Sequence, residues 1–367
     1  TRIDRAGLIV KGRENVLLQS NSFNTTWIKA GNGLAVLTTG QTGYDGSSNA
    51  WLFSKPSASF VSIYQDTSIN GVITLSVYLK AGTNSTAIVR IIGNNDNQFY
   101  VNLSNGTSSF ASSSIIDYDI EDVGGGWYRT SISVNNSGSA RALLYPEAPF
   151  NATTAGNILI QDAQLEQGLA ASPYIETTTT TAQAGVLENT PRLNYTTGVA
   201  NPYLLLEPSR TNLVPSSEYI GGDWNIQNIT DVSNTSDTLS PEGFYNSTKL
   251  TATSIDPYIF KIMNVDVGDN TFSFYVKGTG STVGKESRIL FWYLGTATGT
   301  QSSHSFTLTS EWQRIDATTA VTGAGTLAFR IDLPADVSVI GDSCYLYGLQ
   351  LEAGSYPTSY IPTYSVS

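Results

Sequence analysis

The stretches NVLLQSNSFNTTW (residues 15–27) and TNLVPSSEYIGGDW (residues 211–224) decide the fold, because they show that the chain repeats itself. They align at an offset of 197 residues (212 − 15), which pairs Asn15 with Asn212. A chain of 367 residues also exceeds the length that one hydrophobic core usually supports. The sequence therefore predicts two copies of one folded module.

The repeat continues along both copies. Further pairs are Trp27 with Trp224, Tyr78 with Tyr275, Trp127 with Trp312, and Leu165 with Leu351. The offset falls to 186 by the last pair (351 − 165), and the missing residues lie opposite residues 115–126 of copy one. That acidic, glycine-ended stretch is predicted to be a surface loop. We place copy one at residues 1–178 and copy two at residues 179–367, with Thr177–Thr181 as a short linker.

Short runs of β-branched and aromatic residues, separated by Gly, Asn and Asp, occur throughout both copies. In ITLSVYLKAGT (residues 73–83) and TFSFYVKGTGS (residues 271–281), apolar residues alternate along the run and a glycine follows. This pattern is typical of half-buried strands that end in turns. We predict an all-β fold class: two tandem jelly-roll-type antiparallel β-sandwiches joined by the threonine-rich linker, with the first and last strands of each copy side by side.

Composition excludes several classes of function. The formal net charge of −11 argues against a nucleic-acid partner, because affinity for a phosphate backbone depends on clustered Lys and Arg. The chain lacks the long apolar run that membrane insertion requires. Cys344 is the single cysteine, which excludes an intrachain disulfide. Because Thr1 is not a methionine and no leader pattern follows it, we expect a part of a longer chain without a secretion signal.

Several phrases of the sequence resemble a known module. NVLLQSNSFNTTW, VYLKAGT, GGWYR, AQLEQG and SYIPT together resemble a module found repeatedly in bacteriophage tail fibre and minor structural proteins. EPSRTNLVPSSEY and QLEAGSYPTSYIPT resemble that family's opening and closing segments. The layout is also similar to the carbohydrate-binding jelly rolls attached to glycoside hydrolases. The first resemblance implies a β-sandwich component of a virion.

The resemblance to carbohydrate-binding jelly rolls implies a place for calcium, between the first and last strands. Asp162 occupies the closing position in copy one, but copy two has Gly348 there. We therefore expect no cofactor, with a structural calcium ion at Asp162 as the alternative. Asp117 and Asp119 lie in the densest acidic run and are further metal candidates. Their alternation with Tyr118 favours a strand edge with a solvated face instead.

Aromatic residues separate into two groups, because a core requires the same large rings in both copies. The tryptophans that recur are assigned to folding: Trp27, Trp224, Trp127 and Trp312. Trp51 aligns with Lys249 when one residue is gapped, which predicts that it points to solvent. We name Trp51 as a glycan-binding residue that would stack on a sugar ring, with Tyr64 and Trp292 as secondary candidates. Packing against a neighbouring subunit is the alternative for Trp51.

No catalytic site is predicted. Glu166 and Glu352 occupy equivalent places in the two copies, which favours a role in folding over one in hydrolysis. His304 is the single histidine and lies among Ser and Thr, without the neighbours that a catalytic triad requires. We therefore expect that the chain is not an enzyme.

One principal hypothesis and two alternatives follow. We expect a non-catalytic virion appendage protein, part of a phage tail fibre or tail-associated adhesin, that acts outside the cell. Its expected partners are other virion proteins, host cell-surface glycan and further copies of itself, for example in a trimer. The first alternative is a purely structural capsid or tail decoration protein. The second is an accessory carbohydrate-binding region of a secreted polysaccharide-degrading enzyme.

Overall fold

The chain divides into two compact units. Gly12–Leu187 forms the first module, and Thr1–Lys11 together with Glu188–Ser367 forms the second module. We call Thr1–Lys11 the arm; it belongs to the second module although it precedes the first in the sequence. The computed structural model describes residues 1–31, 35–56, 60–149, 155–187, 190–196, 199–221, 224–333 and 340–364.

Strands make up almost all of the regular structure. The arm contains β1 (Arg2–Ile3) and β2 (Ile9–Val10), which pair with each other. The strands of the first module are β3 (Gly12–Asn15), β4 (Ile28–Ala30), β5 (Val36–Gln41), β6 (Ala50–Lys55), β7 (Ser62–Thr67), β8 (Gly71–Ala81), β9 (Thr86–Ile92), β10 (Asp96–Asn102), β11 (Thr107–Ala111), β12 (Ile115–Gly124), β13 (Trp127–Asn136), β14 (Ala140–Tyr145), β15 (Gly156–Gln167) and β16 (Ala182–Gly185).

The second module continues this pattern. Its strands are β17 (Leu193–Asn194), β18 (Tyr203–Leu204), β19 (Asn225–Gln227), β20 (Ile229–Val232), β21 (Thr248–Ala252), β22 (Tyr258–Val265), β23 (Gly268–Gly278), β24 (Glu286–Leu294), β25 (Thr298–Gly299), β26 (Ser302–Thr307), β27 (Gln313–Gly323), β28 (Gly325–Asp332) and β29 (Ser343–Ala353). A single turn of 3-10 helix spans Gly280–Thr282.

Each module has two large antiparallel sheets. In the first module, sheet A has the order β11-β10-β9-β14-β7-β4 and sheet B has the order β12-β13-β8-β15-β6-β5. In the second module, sheet C has the order β19-β22-β28-β24-β26 and sheet D has the order β20-β21-β29-β23-β27-β25. Small two-stranded sheets join β16 to β3 and β17 to β18. The predicted class of two antiparallel β-sandwiches is therefore confirmed.

The core of each module lies between its two sheets, because alternate side chains of every strand point to the same side. In the first module, Val77 of sheet B and Val89 of sheet A belong to one buried cluster. In the second, the rings of Phe272 and Phe329 lie 5.4 Å apart across the sandwich. Among the recurring tryptophans, Trp27, Trp127 and Trp224 are buried and Trp312 is half-buried.

The opening stretch of each module lies beside its closing strand, as predicted. In the first module, Val16 N donates to Leu165 O (3.0 Å) and Ala163 N donates to Ser20 O (3.0 Å). The second module repeats both bonds, from Leu213 N to Leu351 O (2.8 Å) and from Leu349 N to Ser217 O (2.9 Å). This pairing closes each sandwich at the same place.

A buried ion cluster fixes the arm to the rest of the second module. Lys11 Nζ lies 2.6 Å from Glu218 Oε1 and 2.6 Å from Glu242 Oε2, and it donates to the Tyr347 hydroxyl at 3.1 Å. The Lys11 side chain has no exposed surface. Ile9 packs beside it in a small cluster with Tyr347. Since a buried charge is stable only when it is paired, the arm and the two glutamates depend on each other.

The observed division of the chain differs from the single boundary at residues 178 and 179 that the repeat predicted. Thr177, the first residue of the expected linker, is buried, and its hydroxyl donates to Leu17 O. The strand β16 follows and pairs with β3, so the first module continues to Leu187. An internal repeat reports which residues are alike, whereas a folding unit is defined by which residues touch, and the two boundaries need not coincide.

Candidate functional site

The outer face of sheet C carries two exposed apolar side chains on either side of a small buried one. Trp292 on β24 and Ile262 on β22 are both cross-strand partners of Ala328 on β28, which lies between them. Trp292 is 53% exposed and Ile262 is 47% exposed, whereas Ala328 is buried. The strands β22 and β24, which lie on either side of β28, are about 10 Å apart, twice the usual spacing of neighbouring strands. The Trp292 indole and the Ile262 side chain are thus presented to solvent, with the covered Ala328 between them.

A charged cluster lies on the same face, further along the strands. Asp332 accepts hydrogen bonds from the guanidinium groups of Arg288 and Arg330. Arg330 also donates to Asp256 Oδ1 at 3.0 Å, and its guanidinium carbon lies 3.5 Å from the centroid of the Tyr258 ring. These contacts hold the guanidinium groups of Arg288 and Arg330 in place on this face. The face therefore combines an exposed indole with fixed hydrogen-bonding groups.

Tyr64 lies on the corresponding outer face of sheet A in the first module. The guanidinium carbon of Arg141 is 4.0 Å from the centroid of the Tyr64 ring. Arg141 is held there by two hydrogen bonds to Asp66, of 2.6 and 2.9 Å. One face of the Tyr64 ring is therefore covered by a fixed cation, unlike the indole of Trp292. The second module presents the more accessible aromatic surface.

Sequence reasoning missed the other aromatic residues of the sheet A face. The rings of Tyr100 and Phe110 lie 4.9 Å apart, and those of Phe60 and Tyr145 lie 5.4 Å apart. Phe60 and Phe110 are 45% and 46% exposed. The alternation within β10, which buries Phe99, could have placed Tyr100 on the outer face. No such signal places Phe60, Phe110 and Tyr145 on this face, because these aromatic residues do not recur in the second copy of the repeat.

The prediction that Trp51 is exposed is wrong. Trp51 is 7% exposed and belongs to the core of the first module. The registers explain the error. Trp51 pairs with Ile160, and the equivalent pair in the second module is Thr248 with Leu346, so Trp51 corresponds to the buried Thr248 and not to Lys249. The offset of 197 residues aligns Trp51 with Thr248 without a gap, and the gap shifted the alignment by one residue. In a strand, a slip of one residue exchanges the buried and the exposed face.

Asp162 is the metal candidate whose surroundings are best defined. Its backbone has φ +50°, in a bulge of β15, and Gly348 has φ +62° at the equivalent place. Only Gly, Asn and Asp adopt this left-handed conformation readily, which accounts for the exchange of Asp for Gly between the copies. The carboxylate accepts a hydrogen bond from the Tyr44 hydroxyl (3.0 Å). Backbone geometry thus explains this residue without a metal.

Asp117 and Asp119 lie on β12, the edge strand of sheet B, opposite Ser133 and Ser131. The acidic stretch is therefore a sheet edge, and the prediction of a surface loop there is wrong. Asp117 and Asp119 point to the same face, about 7 Å apart as alternate residues of one strand. Among the described residues, no group of three or more His, Cys, Asp or Glu side chains could hold a metal ion. The structure therefore does not bring Asp117, Asp119 and Asp162 together.

Replacing Asp162 by Asn should stabilise the first module at neutral pH. Burial raises the pKa of the Asp162 carboxyl to about 6, although the hydrogen bond from Tyr44 opposes the shift. The folded protein thus holds this proton more tightly than the unfolded chain. The stabilising contribution is present at low pH and is lost as the pH rises from about 4 to about 6. We expect Asp162→Asn to raise the free energy of unfolding by about 1–2 kcal/mol at pH 7 and by little below pH ~4.

Denaturant unfolding followed between pH 4 and pH 8 measures this effect. Asp66→Asn is the opposite control, because the hydrogen bond from Arg141 lowers the pKa of Asp66, so this variant should lose stability at pH 7. A lower stability of Asp162→Asn at pH 7, together with a calcium-dependent rise in stability of the parent chain that the variant lacks, would instead support the calcium alternative.

Glu166 and Glu352 have the same buried environment in the two modules. Glu166 accepts hydrogen bonds from Gln164 (2.6 Å) and from the backbone and hydroxyl of Ser172 (2.8 and 2.6 Å). Glu352 accepts the equivalent bonds from Gln350 and Thr358. Both carboxylates are fully buried and hold the segment that follows the last large strand of their module. We call this segment, residues 168–178 in the first module and 354–364 in the second, the closing segment.

His304 is exposed on β26, 6.0 Å from the ring of Phe291.

No protein-family model and no curated protein matches the chain. Among solved structures, the enzymatically active domain of bacteriophage CBA120 tailspike protein 4 is 14% identical, with a TM-score of 0.31, over 38% of this chain. The match spans only 21% of the tailspike chain. The CBM22-1-CBM22-2 tandem domain of Paenibacillus barcinonensis Xyn10C is 11% identical, with a TM-score of 0.29, over 96% of this chain and 100% of its own.

A third similar structure is TmCBM61 in complex with β-1,4-galactotriose, 13% identical with a TM-score of 0.28, over 39% of this chain and 99% of its own. At these identities and TM-scores, the similarities carry no weight for the function of the chain. In the described ranges, no helix is long and apolar enough to cross a membrane.

Proposed function

We propose that the chain is a non-catalytic, glycan-binding part of a bacteriophage tail appendage, and that it binds glycan through the outer face of sheet C. The observation that carries this proposal is the exposed Trp292 indole, which shares the outer face of sheet C with the exposed Ile262 side chain. Exposed indoles are rare on soluble proteins unless they serve a contact, because a large aromatic ring is normally buried. The ligand is predicted to be a polysaccharide of the host surface.

The chemistry of the face suits a sugar. The apolar side of a pyranose ring can stack on the Trp292 indole and contact the exposed Ile262 side chain. Arg330, two residues along β28 from Ala328 and about 7 Å away, is the nearest charged group to the hydroxyl groups of such a ring. Aromatic surface combined with a few fixed polar groups is the usual composition of a small-molecule site.

The assignment to a virion rests on the sequence phrases in both modules that resemble a module of phage tail proteins. A shallow face of this kind binds one sugar chain weakly. An appendage overcomes weak binding by presenting many copies, since tethered sites raise the effective concentration of the ligand. The environment of Glu166 and Glu352 supports a non-catalytic role, because the bonds that close the modules already engage both carboxylates.

Trp292→Ala should weaken binding to host cells or host polysaccharide at least tenfold, as loss of a stacking residue costs about 1.4 kcal/mol or more. The full chain is presented multivalently on beads and its retention on a glycan array and on host cells is measured. Tyr245→Ala is the matched control, because Tyr245 lies in the same module and is also 53% exposed. Equal losses in both variants, or no binding by the parent chain, would favour the purely structural alternative.

A further inference from the structure

A second feature of the second module is a cavity of about 220 Å³ on the outer side of sheet D. It lies between the sheet, the arm and the closing segment, and its lining includes Arg2, Asn194, Tyr203, Tyr275, Arg314 and Ser359. The volume corresponds to about seven water molecules, at roughly 30 Å³ each. It is smaller than the ~300 Å³ lower limit of sites for drug-sized ligands, so a single small molecule fits.

Two guanidinium groups in the cavity wall lack anionic partners. Arg314 donates to Ser273 Oγ (3.0 Å) and lies over the Tyr275 ring (5.6 Å), but its Nε is buried without a hydrogen-bond partner. Arg2 Nε is also buried and unbonded. Within the described part of the chain, neither arginine forms an ion pair. A buried polar group without a partner is costly unless something else satisfies it.

The counterpart arginine of the first module makes different hydrogen bonds. Arg129 is the counterpart of Arg314 in the repeat, and it donates to Ala171 O (3.3 Å) and to Ser172 O. Arg314 forms no such bond to the equivalent carbonyls of Pro357 and Thr358, which line the cavity. The Nε atoms of Arg129 and Arg314 are both buried without a partner. The two arginines therefore differ in the hydrogen bonds of their terminal nitrogens. The second module thus differs from the first in the hydrogen bonds of this arginine, at a residue that lines the cavity.

The amino group and the hydroxyl of Thr1 also line the cavity, and both donate to Tyr360 O (3.4 and 2.7 Å). The rest of the polar lining is neutral or already paired. Glu207 accepts a hydrogen bond from Ser359 N (2.7 Å) and forms an ion pair with Arg192 (3.2 Å). Asn194 donates to the Tyr203 hydroxyl, which leaves the hydroxyl proton free to donate into the cavity. The available donors are thus two guanidinium groups and a phenol, next to the aromatic wall of Tyr275.

We propose that this cavity binds the carboxylate of a single sugar acid, such as a hexuronic acid. Arg314 and Arg2 engage the carboxylate, for which the planar guanidinium group provides paired donors. The sugar ring lies against Tyr275, and a ring hydroxyl accepts from Tyr203. The site is separate from the Trp292 surface on sheet C, so either proposal can fail without the other.

Ligand-observed NMR on the full chain tests the proposal, with glucuronate as the probe and glucose and acetate for comparison. We expect glucuronate to bind at least tenfold more tightly than either comparison compound, and Arg314→Gln to weaken it at least tenfold. Arg129→Gln is the matched control, because it changes the counterpart arginine in the other module and should leave glucuronate binding unchanged.

Arg2→Gln provides a second test that leaves sheet D intact, and its thermal unfolding should match that of the parent chain while glucuronate binding falls. The proposal is overturned if glucuronate does not bind, if glucose or acetate binds equally well, or if Arg129→Gln has the same effect as Arg314→Gln. Loss of glucuronate binding in Trp292→Ala would place the sugar acid on sheet C and would also overturn it.

Discussion

Replacing Lys11 by Met should lower the free energy of unfolding of the second module by about 3–5 kcal/mol, the usual cost of removing one partner from a buried ion pair. The variant retains most of the side-chain volume but leaves Glu218 and Glu242 buried without their cation. The first module should keep its stability, because Lys11 belongs to the other unit. Denaturant unfolding, with hydrogen exchange to distinguish the two modules, measures the loss.

Two further variants separate charge from packing. Lys29→Met is the matched control, since Lys29 is exposed and its replacement should change stability by no more than ~0.5 kcal/mol. Adding Glu218→Gln and Glu242→Gln to Lys11→Met should recover much of the lost stability, because the buried negative charges are removed as well. An unchanged second module in Lys11→Met would show that the arm is not required for its stability.

Asn212→Ala should also destabilise the second module, by about 3–5 kcal/mol, because four backbone groups lose their partner at once, three of them in buried hydrogen bonds. The side-chain amide donates to Leu349 O (3.0 Å) and Ile361 O (2.8 Å). Its oxygen accepts from Val214 N and Leu351 N, both at 3.0 Å. These bonds join the opening stretch, the closing strand and the closing segment. Chemical unfolding of the variant checks the prediction.

The repeat supplies an internal test of the same prediction. Asn15 makes the equivalent four bonds in the first module, to Ala163, Ile175, Leu17 and Leu165. Asn15→Ala should therefore destabilise the first module by a similar amount, whereas the exposed Asn24→Ala should have little effect. If Asn15→Ala and Asn24→Ala were alike, the asparagine would not be the element that closes the module.

Most of the fold was predictable from the sequence, because the repeat and the period-2 alternation are local signals. Asn15 and Asn212 mark the same buried junction in both modules, and a residue needed by both folds recurs. Glu166 and Glu352 were assigned to folding on the same ground, and each accepts hydrogen bonds that hold the segment after the last large strand of its module. The place of the arm was not predictable, since the contact of Lys11 with Glu218 joins residues that are 207 positions apart.

The candidate site was only partly predictable, for physical reasons that differ between residues. Trp292 and Tyr64 do lie on outer sheet faces, but the sequence held no sign that Arg141 covers Tyr64. Trp51 was misplaced because its exposure was inferred from a single aligned residue, and strand geometry makes such an inference sensitive to a shift of one position. The cavity near Arg314 depends on hydrogen bonds that differ between the copies although the arginine itself recurs.

The indole NH resonances of the six tryptophans offer the most direct test of the proposed function. The nitrogens of Trp27, Trp51 and Trp312 donate to backbone carbonyls within the protein, whereas Trp292 is largely exposed. Adding host-surface polysaccharide to the labelled chain should shift the Trp292 resonance and leave the other five in place. Saturating polysaccharide that moves no indole resonance, or moves others and leaves Trp292 unchanged, would contradict glycan binding at the outer face of sheet C.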